Sequence, residues 1–239
     1  MPSQLIKDWF KITKVIQETP DTKTFRIGLG EPLDFLPGQF VMAGLELDVD
    51  GEKKMIKRAY SIASSPEKDY VEITFNLYPQ GQFSPHLYKL KEGDSLFIEG
   101  PYGNFFFKED IGRNIVFIGA GAGLTPLMCI IRHIIDRNLP IKFTLIYSVK
   151  KPENVIYKQE LLDLERNKKL EFNLTITRPD GTEWTGRTGR INKEMIKELV
   201  KDLNGQNFYM CGPPEMIEGT VKILEELGVD KERINREQW

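Results

Sequence analysis

The sequence predicts two architectures in one chain, an all-β segment followed by an α/β segment built on a doubly wound parallel sheet. Three observations carry this. Before Gly100, short alternating apolar runs are separated by turns rich in Gly, Pro and Asp, with hardly a helical period among them. After Asn114, strand-like and helix-like runs alternate, the order that builds parallel sheets. Where the grammar changes, Ile115-Val116-Phe117-Ile118 reads as a strand covered on both faces. It runs into Gly119-Ala120-Gly121-Ala122-Gly123-Leu124-Thr125-Pro126, a turn with alternate glycines and the opening of a helix.

Within the first segment, strands are expected at Thr24 to Ile27, at Leu36 to Val41 around a Pro37-Gly38 corner, at Tyr70 to Phe75 and at Ser95 to Ile98. Only Ser84 to Leu90 reads as a short helix. Strands this closely spaced indicate an antiparallel barrel or sandwich. Gly100-Pro101-Tyr102-Gly103-Asn104 closes the segment and Lys108 to Asn114 reads as a linker, which divides the chain into domains at 1–108 and 109–239. In the second segment, strand 115–118 leads to a helix whose apolar face is Leu127, Ile131, Ile134 and Ile135. A strand at Ile141 to Tyr147 and a helix at Val155 to Arg166 follow, then a strand at Glu171 to Thr177 and a helix at Lys193 to Leu203 started by Asn192. Asn207 to Cys211 is the fourth strand, and the last helix opens on Pro213-Pro214 and stops at Leu227-Gly228.

Composition excludes several classes of function. Lys and Arg number 33 against 35 Asp and Glu, a net charge of -2 that gives no global attraction to nucleic acid. Two cysteines, Cys129 and Cys211, rule out a disulfide framework and an all-cysteine iron–sulfur site within this sequence. The histidines are only His86 and His133, so a His-rich metal site is not expected. Met1 to Trp9 lacks the apolar core of a signal peptide, no run is long enough to span a membrane, and a cytoplasmic setting is the default.

The glycine turn has the spacing of a phosphate loop, although G-x-G-x-G differs from the dinucleotide fingerprint G-x-G-x-x-G. Its glycines let a phosphate approach the backbone, Thr125 is placed to cap the helix, and Pro126 suits the first turn. The free N–H groups and dipole of that helix end favour an anion. Arg58-Ala59-Tyr60-Ser61 is expected between strands and offers a guanidinium fork, a flat ring and a small hydroxyl. Gly81-Gln82-Phe83-Ser84 reads as a second loop opening a helix, with Ser84 as its cap. Cys211 ends a parallel strand, where ligands bind in such sheets, whereas Cys129 lies mid-helix as a core residue.

Taken in order, five motifs resemble the ferredoxin–NADP reductase-like flavoenzymes, a superfamily that includes oxygenase reductases and cytochrome b5 reductases. They are Arg58-Ala59-Tyr60-Ser61, Gly81-x-x-Ser84-x-x-Leu87, Gly100-Pro101-Tyr102-Gly103-Asn104-Phe105, Gly119-x-Gly121-x-Gly123-Leu124-Thr125-Pro126 and Cys211-Gly212-Pro213-Pro214-x-Met216. The resemblance covers essentially the whole chain. It implies an FAD-binding Greek-key β-barrel followed by a nicotinamide dinucleotide domain, with the two rings stacked at the seam between them so that hydride can pass.

By the same resemblance, Arg58 looks like the flavin pyrophosphate partner, Tyr60 the residue on the flavin ring and Ser61 the neighbour of its hydride-accepting nitrogen. Ala59 counts with them among the cofactor-binding residues, and Gly81, Gln82, Phe83 and Ser84 look like further pyrophosphate ligands. Gly119, Gly121, Gly123, Leu124 and Thr125 resemble the loop for the nicotinamide-side pyrophosphate, while Cys211, Gly212 and Pro213 border the nicotinamide. Trp239 resembles a terminal aromatic that covers the flavin, and Glu237 an acidic neighbour. FAD rather than FMN follows from the Arg58 and Ser84 pair, since FMN has no pyrophosphate. NADH or NADPH stays open. No carboxylate follows the second parallel strand to hold a ribose hydroxyl, and Lys150 or Lys151 with Arg178 suits a 2′-phosphate, which tilts the reading towards NADP. The expected function is electron transfer from NAD(P)H through FAD to a separate redox carrier protein, a ferredoxin or an oxygenase component. A reductase that releases reduced flavin and a non-catalytic dinucleotide-binding subunit are the alternatives.

Overall fold

The computed structural model describes residues 5–109 and 112–238, so Trp239 lies outside the described residues. By compactness the chain separates into two units: Met1–Phe107 with Met128–Asp136, and Lys108–Leu127 with Arg137–Trp239.

The first unit is a six-stranded antiparallel sheet of β1 (Ile6–Thr19), β2 (Thr22–Gly28), β3 (Phe40–Val49), β4 (Glu52–Ser61), β5 (Tyr70–Asn76) and β6 (Ser95–Tyr102). Their order is β4-β3-β6-β1-β2-β5, and a bridge between Ile62 and Ile73 brings the continuation of β4 onto the opposite edge strand. Alternate residues of these strands, among them Phe25, Ile27, Val41, Ala43, Val71, Ile73, Leu96 and Ile98, fill its interior. The long first strand escapes sequence reading because two register shifts against β2, at Ile12/Lys14 and Gln17/Thr19, break its alternation. Arg58 to Ser61 lies within β4 rather than between strands. The short helix expected at 84–90, α1, is confined to Ser84–Tyr88.

The second unit is a five-stranded parallel sheet: β7 (Asn114–Ala120), β8 (Lys142–Val149), β9 (Glu171–Ile176), β10 (Asn207–Gly212) and β11 (Ile234–Gln238), in the order β11-β10-β7-β8-β9. Helices α2 (Leu124–Asp136), α3 (Lys158–Arg166), α4 (Lys193–Leu199) and α5 (Pro214–Glu226) connect them. The expected helices at 155–166 and 193–203 are thus shorter than their apolar periods suggested. β11 carries one large apolar residue, Ile234, so only its pairing with β10 identifies it as a strand. The chain runs outward from β7 through β8 to β9, then returns to β10 on the other side. The direction of winding therefore reverses between β7 and β10, and the carboxyl ends of these two strands form the switch point where such sheets bind ligands.

Helix α2 starts in the second unit, and its later part, Met128–Asp136, belongs to the first. Consistent with that, Cys129 is fully buried within the barrel cluster, as its mid-helix position suggested.

Candidate functional site

In the barrel unit the Arg58 to Ser61 strand pairs with β3, setting Arg58 opposite Ala43, Ala59 opposite Met42, Tyr60 opposite Val41 and Ser61 opposite Phe40. Alternation sends Arg58 and Tyr60 to one face and Ala59 and Ser61 to the other. The Arg58 guanidinium is exposed, donates to the Lys57 carbonyl at 2.8 Å and has no carboxylate partner among the described residues. It is therefore free to take a phosphate. The Tyr60 ring packs against Phe75 at 5.9 Å and Phe83 at 6.3 Å between centroids. Burial pushes its phenol up to about 12, against the smaller opposing pull of Arg58, so it stays a neutral donor.

The residues after Ser61 are held from several sides. Ile62 N–H donates to the Gln39 carbonyl at 3.0 Å, and Ala63 N–H donates to the Glu72 carbonyl at 2.7 Å. The Cys129 thiol donates to the Ser64 carbonyl at 3.0 Å, and Arg132 to the Ala63 carbonyl at 2.9 Å. Arg132 also meets one Glu72 oxygen at 2.9 Å, while Arg26 grips the other through Nε at 3.0 Å and an η nitrogen at 2.9 Å. Gln39 accepts from Leu36 N–H and donates to the Gly103 carbonyl, fixing the corner before β3. None of these partners was identified as functional from sequence, though Gln39 lies in the quoted Pro-Gly corner.

Ser84 does not cap a helix. It is the first residue of α1, whose N-cap is Phe83, and its hydroxyl accepts from Tyr78 N–H at 2.9 Å and donates to the Tyr78 carbonyl at 3.2 Å. Its side chain thus closes the loop that carries Gly81, Gln82 and Phe83, with Gln82 exposed and Phe83 buried. The Oδ1 of Asn76, at the end of β5, is buried without a hydrogen-bond partner.

The second cluster lies at the switch point. Gly119 ends the buried part of β7, in register with Tyr147 of β8 and Cys211 of β10. Gly121 to Gly123 form a single 3-10 turn before α2, with Gly121 at φ 52°, a left-handed conformation that favours glycine. Gly123 packs against β10, where an added Cβ would lie 2.2 Å from the Cys211 carbonyl oxygen. Thr125 is not the cap expected of it: it stands second in α2, 2 % exposed, with its hydroxyl lacking a hydrogen-bond partner. Such an orphaned donor beside an open glycine turn suits a polar ligand. The Tyr147 hydroxyl donates to the Gly121 carbonyl at 3.0 Å, a contact that sequence reading did not anticipate.

Cys211 is fully buried, one residue inside the end of β10; Gly212 is buried and Pro213 is the exposed N-cap of α5. Glu237, read as part of a terminal tail, sits on β11 beside Cys211, and burial raises its carboxyl above the ordinary value. Lys150 and Arg178 are brought together by Arg178 N–H donating to the Lys150 carbonyl at 2.8 Å. Both side chains are exposed with no carboxylate partner among the described residues, whereas Lys151 faces Glu153 at 3.7 Å. The described residues contain no cluster of His, Cys, Asp or Glu able to hold a metal, and no helix long and apolar enough to cross a membrane.

A barrel with an arginine lacking a carboxylate partner beside a half-buried tyrosine, together with a parallel sheet bearing a glycine turn at its switch point, has the features of a flavin-binding and a nucleotide-binding unit in one chain. Known proteins bear this out. Residues 9–107 match the oxidoreductase FAD-binding domain and residues 117–222 the oxidoreductase NAD-binding domain. The chain is 35% identical over 224 residues to NADH-cytochrome b5 reductase 1 of Aspergillus clavatus, covering 87% of this chain and 71% of that one. It is 33% identical over 235 residues to the glycine betaine monooxygenase reductase subunit of Pseudomonas aeruginosa, covering 96% of this chain but 63% of the longer relative. Among solved structures, the ferredoxin reductase in carbazole 1,9a-dioxygenase superposes with a TM-score of 0.86 at 30% identity, over 100% of this chain and 71% of that one. The chain belongs to the ferredoxin–NADP reductase-like family, with FAD and a nicotinamide dinucleotide as its cofactors.

Proposed function

We propose that the protein is an NAD(P)H-dependent reductase that passes electrons through FAD to a separate one-electron carrier, a ferredoxin or an oxygenase component. The observation that carries the reading is the pairing of two sites in one chain. Arg58, with no carboxylate to neutralise it, accompanies Tyr60 on a flavin-type strand, and the Gly119 to Thr125 turn occupies a nucleotide-type switch point. Two relatives are named as reductases of oxygenase systems, which supports such a partner. When bound, the flavin supplies the conversion between a two-electron hydride and single electrons.

The chain's own residues bind and orient. Arg58, with the loop of Gly81, Gln82, Phe83 and Ser84, holds the flavin diphosphate, Tyr60 packs on the ring system, and Ser61 donates a hydrogen bond at its reacting edge. Gly119, Gly121, Gly123, Leu124 and Thr125 form the nicotinamide-side diphosphate loop. Cys211, Gly212 and Pro213 border the nicotinamide, with Glu237 beside them and Trp239 as a cover for the flavin. Lys150 and Arg178 receive a 2′-phosphate, which makes NADPH the preferred donor. The flavin domain is assigned to 1–108 and the nucleotide domain to 109–239.

Anaerobic titration of the flavin-loaded protein with NADPH and with NADH tests this. Bleaching of the flavin by NADPH at lower concentration, followed by reoxidation on adding a ferredoxin, is expected. Protein that stays colourless after incubation with FAD would overturn the proposal, and flavin lost on gel filtration would favour a reductase that releases it.

A further inference from the structure

The glycine turn has a support that neither its motif nor the family assignment specifies. Tyr147 is fully buried on β8, in register with Gly119, and its hydroxyl donates to the Gly121 carbonyl at 3.0 Å. Leu124 N–H donates to the same carbonyl oxygen. Two donors thus occupy the two lone pairs of this oxygen. A trans peptide sets its C=O and the following N–H in opposite directions. Drawing the Gly121 carbonyl towards Tyr147 therefore turns Ala122 N–H the other way. Nothing lies within 4 Å of a Cβ built on Gly121, so the glycine serves the positive φ and the turn is open on that side. Were this peptide to rotate, it would present an oxygen instead of an N–H to any anion there.

We infer that Tyr147 is a positioning residue for the nucleotide loop, orienting Ala122 N–H to donate to the diphosphate of the nicotinamide dinucleotide. The inference rests on the nicotinamide-binding reading above. Tyr147 acts through the Gly121 peptide and touches no reacting atom.

The test uses Tyr147→Phe in the flavin-loaded full chain, with ADP-ribose as the probe because it carries the diphosphate without the nicotinamide. Calorimetric titration should show ADP-ribose binding weakened by about 3- to 10-fold, the range expected when one hydrogen bond of ordinary strength is lost. KM for the preferred nicotinamide cofactor should rise by a similar factor while kcat at saturation and the flavin spectrum stay at wild-type values. Tyr209→Phe, which removes an equally buried phenol from β10, should retain wild-type ADP-ribose affinity. Equal weakening in both variants, or unchanged affinity in Tyr147→Phe, would overturn the role of Tyr147 while leaving the nicotinamide reading intact. Wild-type protein that binds neither ADP-ribose nor NAD(P)H would overturn that reading itself, and this inference with it.

Discussion

Gly123→Ala is the most informative single perturbation, because the added atom runs into the Cys211–Gly212 peptide of β10. Its Cβ would stand 2.2 Å from the Cys211 oxygen, 2.5 Å from the Cys211 carbonyl carbon and 2.8 Å from Gly212 Cα. None of these atoms is the end of a flexible side chain that can swing aside. Restoring ordinary contact at about 3.5 Å requires the turn and the end of β10 to part by about 1 Å. Overpacking of this kind costs about 1–3 kcal/mol of stability. The functional cost is of similar size, since a displacement of about 1 Å in a positioned site lowers turnover by about 100-fold, or ~2.7 kcal/mol of barrier. Both displaced segments belong to the proposed nicotinamide site, so kcat/KM should fall by about 10- to 100-fold. Stopped-flow reduction of the bound flavin would read the fall directly, with flavin content as the check on the barrel unit. Gly219→Ala provides the opposite sign: Gly219 is exposed in α5 with nothing within 4 Å, and the substitution should stabilise by about 0.5–1 kcal/mol. A Gly123→Ala enzyme within twofold of wild-type kcat/KM would refute the reasoning.

Further outcomes follow from the charged groups. Arg132→Met deprives Glu72, 5% exposed at its side chain, of one of its two arginines and the Ala63 carbonyl of a donor. It should cost about 3 kcal/mol in urea unfolding of the barrel unit, and a loss below about 1 kcal/mol would contradict the burial argument. Burial raises the Glu237 carboxyl above 4.5. A raised folded-state value means stability is present at low pH and lost as pH rises through that value. Melting temperatures of wild type relative to Glu237→Gln should therefore decline from about pH 4.5 upward, and a flat difference would show that the carboxyl is not desolvated. Lys150→Ala with Arg178→Ala should lower kcat/KM for NADPH by about 10-fold or more and leave NADH within twofold, whereas equal effects on both cofactors would remove the pair from the 2′-phosphate site.

How much of this was legible in the sequence depended on whether a residue's environment is local. β7, β8 and β10 were plain because parallel strands covered on both faces read as unbroken apolar runs, as in Ile115 to Ile118. β1 was hidden although it is the longest strand, since its two register shifts move apolar residues out of alternation. β11 was hidden for the opposite reason: an edge strand needs few apolar residues, and Asn235, Arg236 and Glu237 resemble a tail until paired with β10. The site divided in the same way. Glycines and the Arg-Ala-Tyr-Ser run announce themselves by identity, but Ser84 and Thr125 were misread as caps. Each capping assignment placed the start of its helix too late, by one residue at Ser84 and by two at Thr125, and Ser84 is instead taken up by Tyr78, six positions away.

The supporting residues were the least legible, and for a physical reason. What they hold is backbone carbonyl, which has no sequence identity, and they reach it from far along the chain: 26 positions from Tyr147 to Gly121 and 69 from Arg132 to Ala63. Their chemistry still determines how well the recognisable motifs work. The strand end that presents Tyr60 and Ser61 continues into Ile62, Ala63 and Ser64, whose backbone groups bond to Gln39, Glu72, Arg132 and Cys129. Burial pushes the Cys129 thiol up to about 12, so it remains a donor across the physiological range instead of ionising against the carbonyl it serves. Arg132 cannot lose its proton either. The frame behind the Tyr60 strand is thus insensitive to pH at the two side chains that contact its carbonyls.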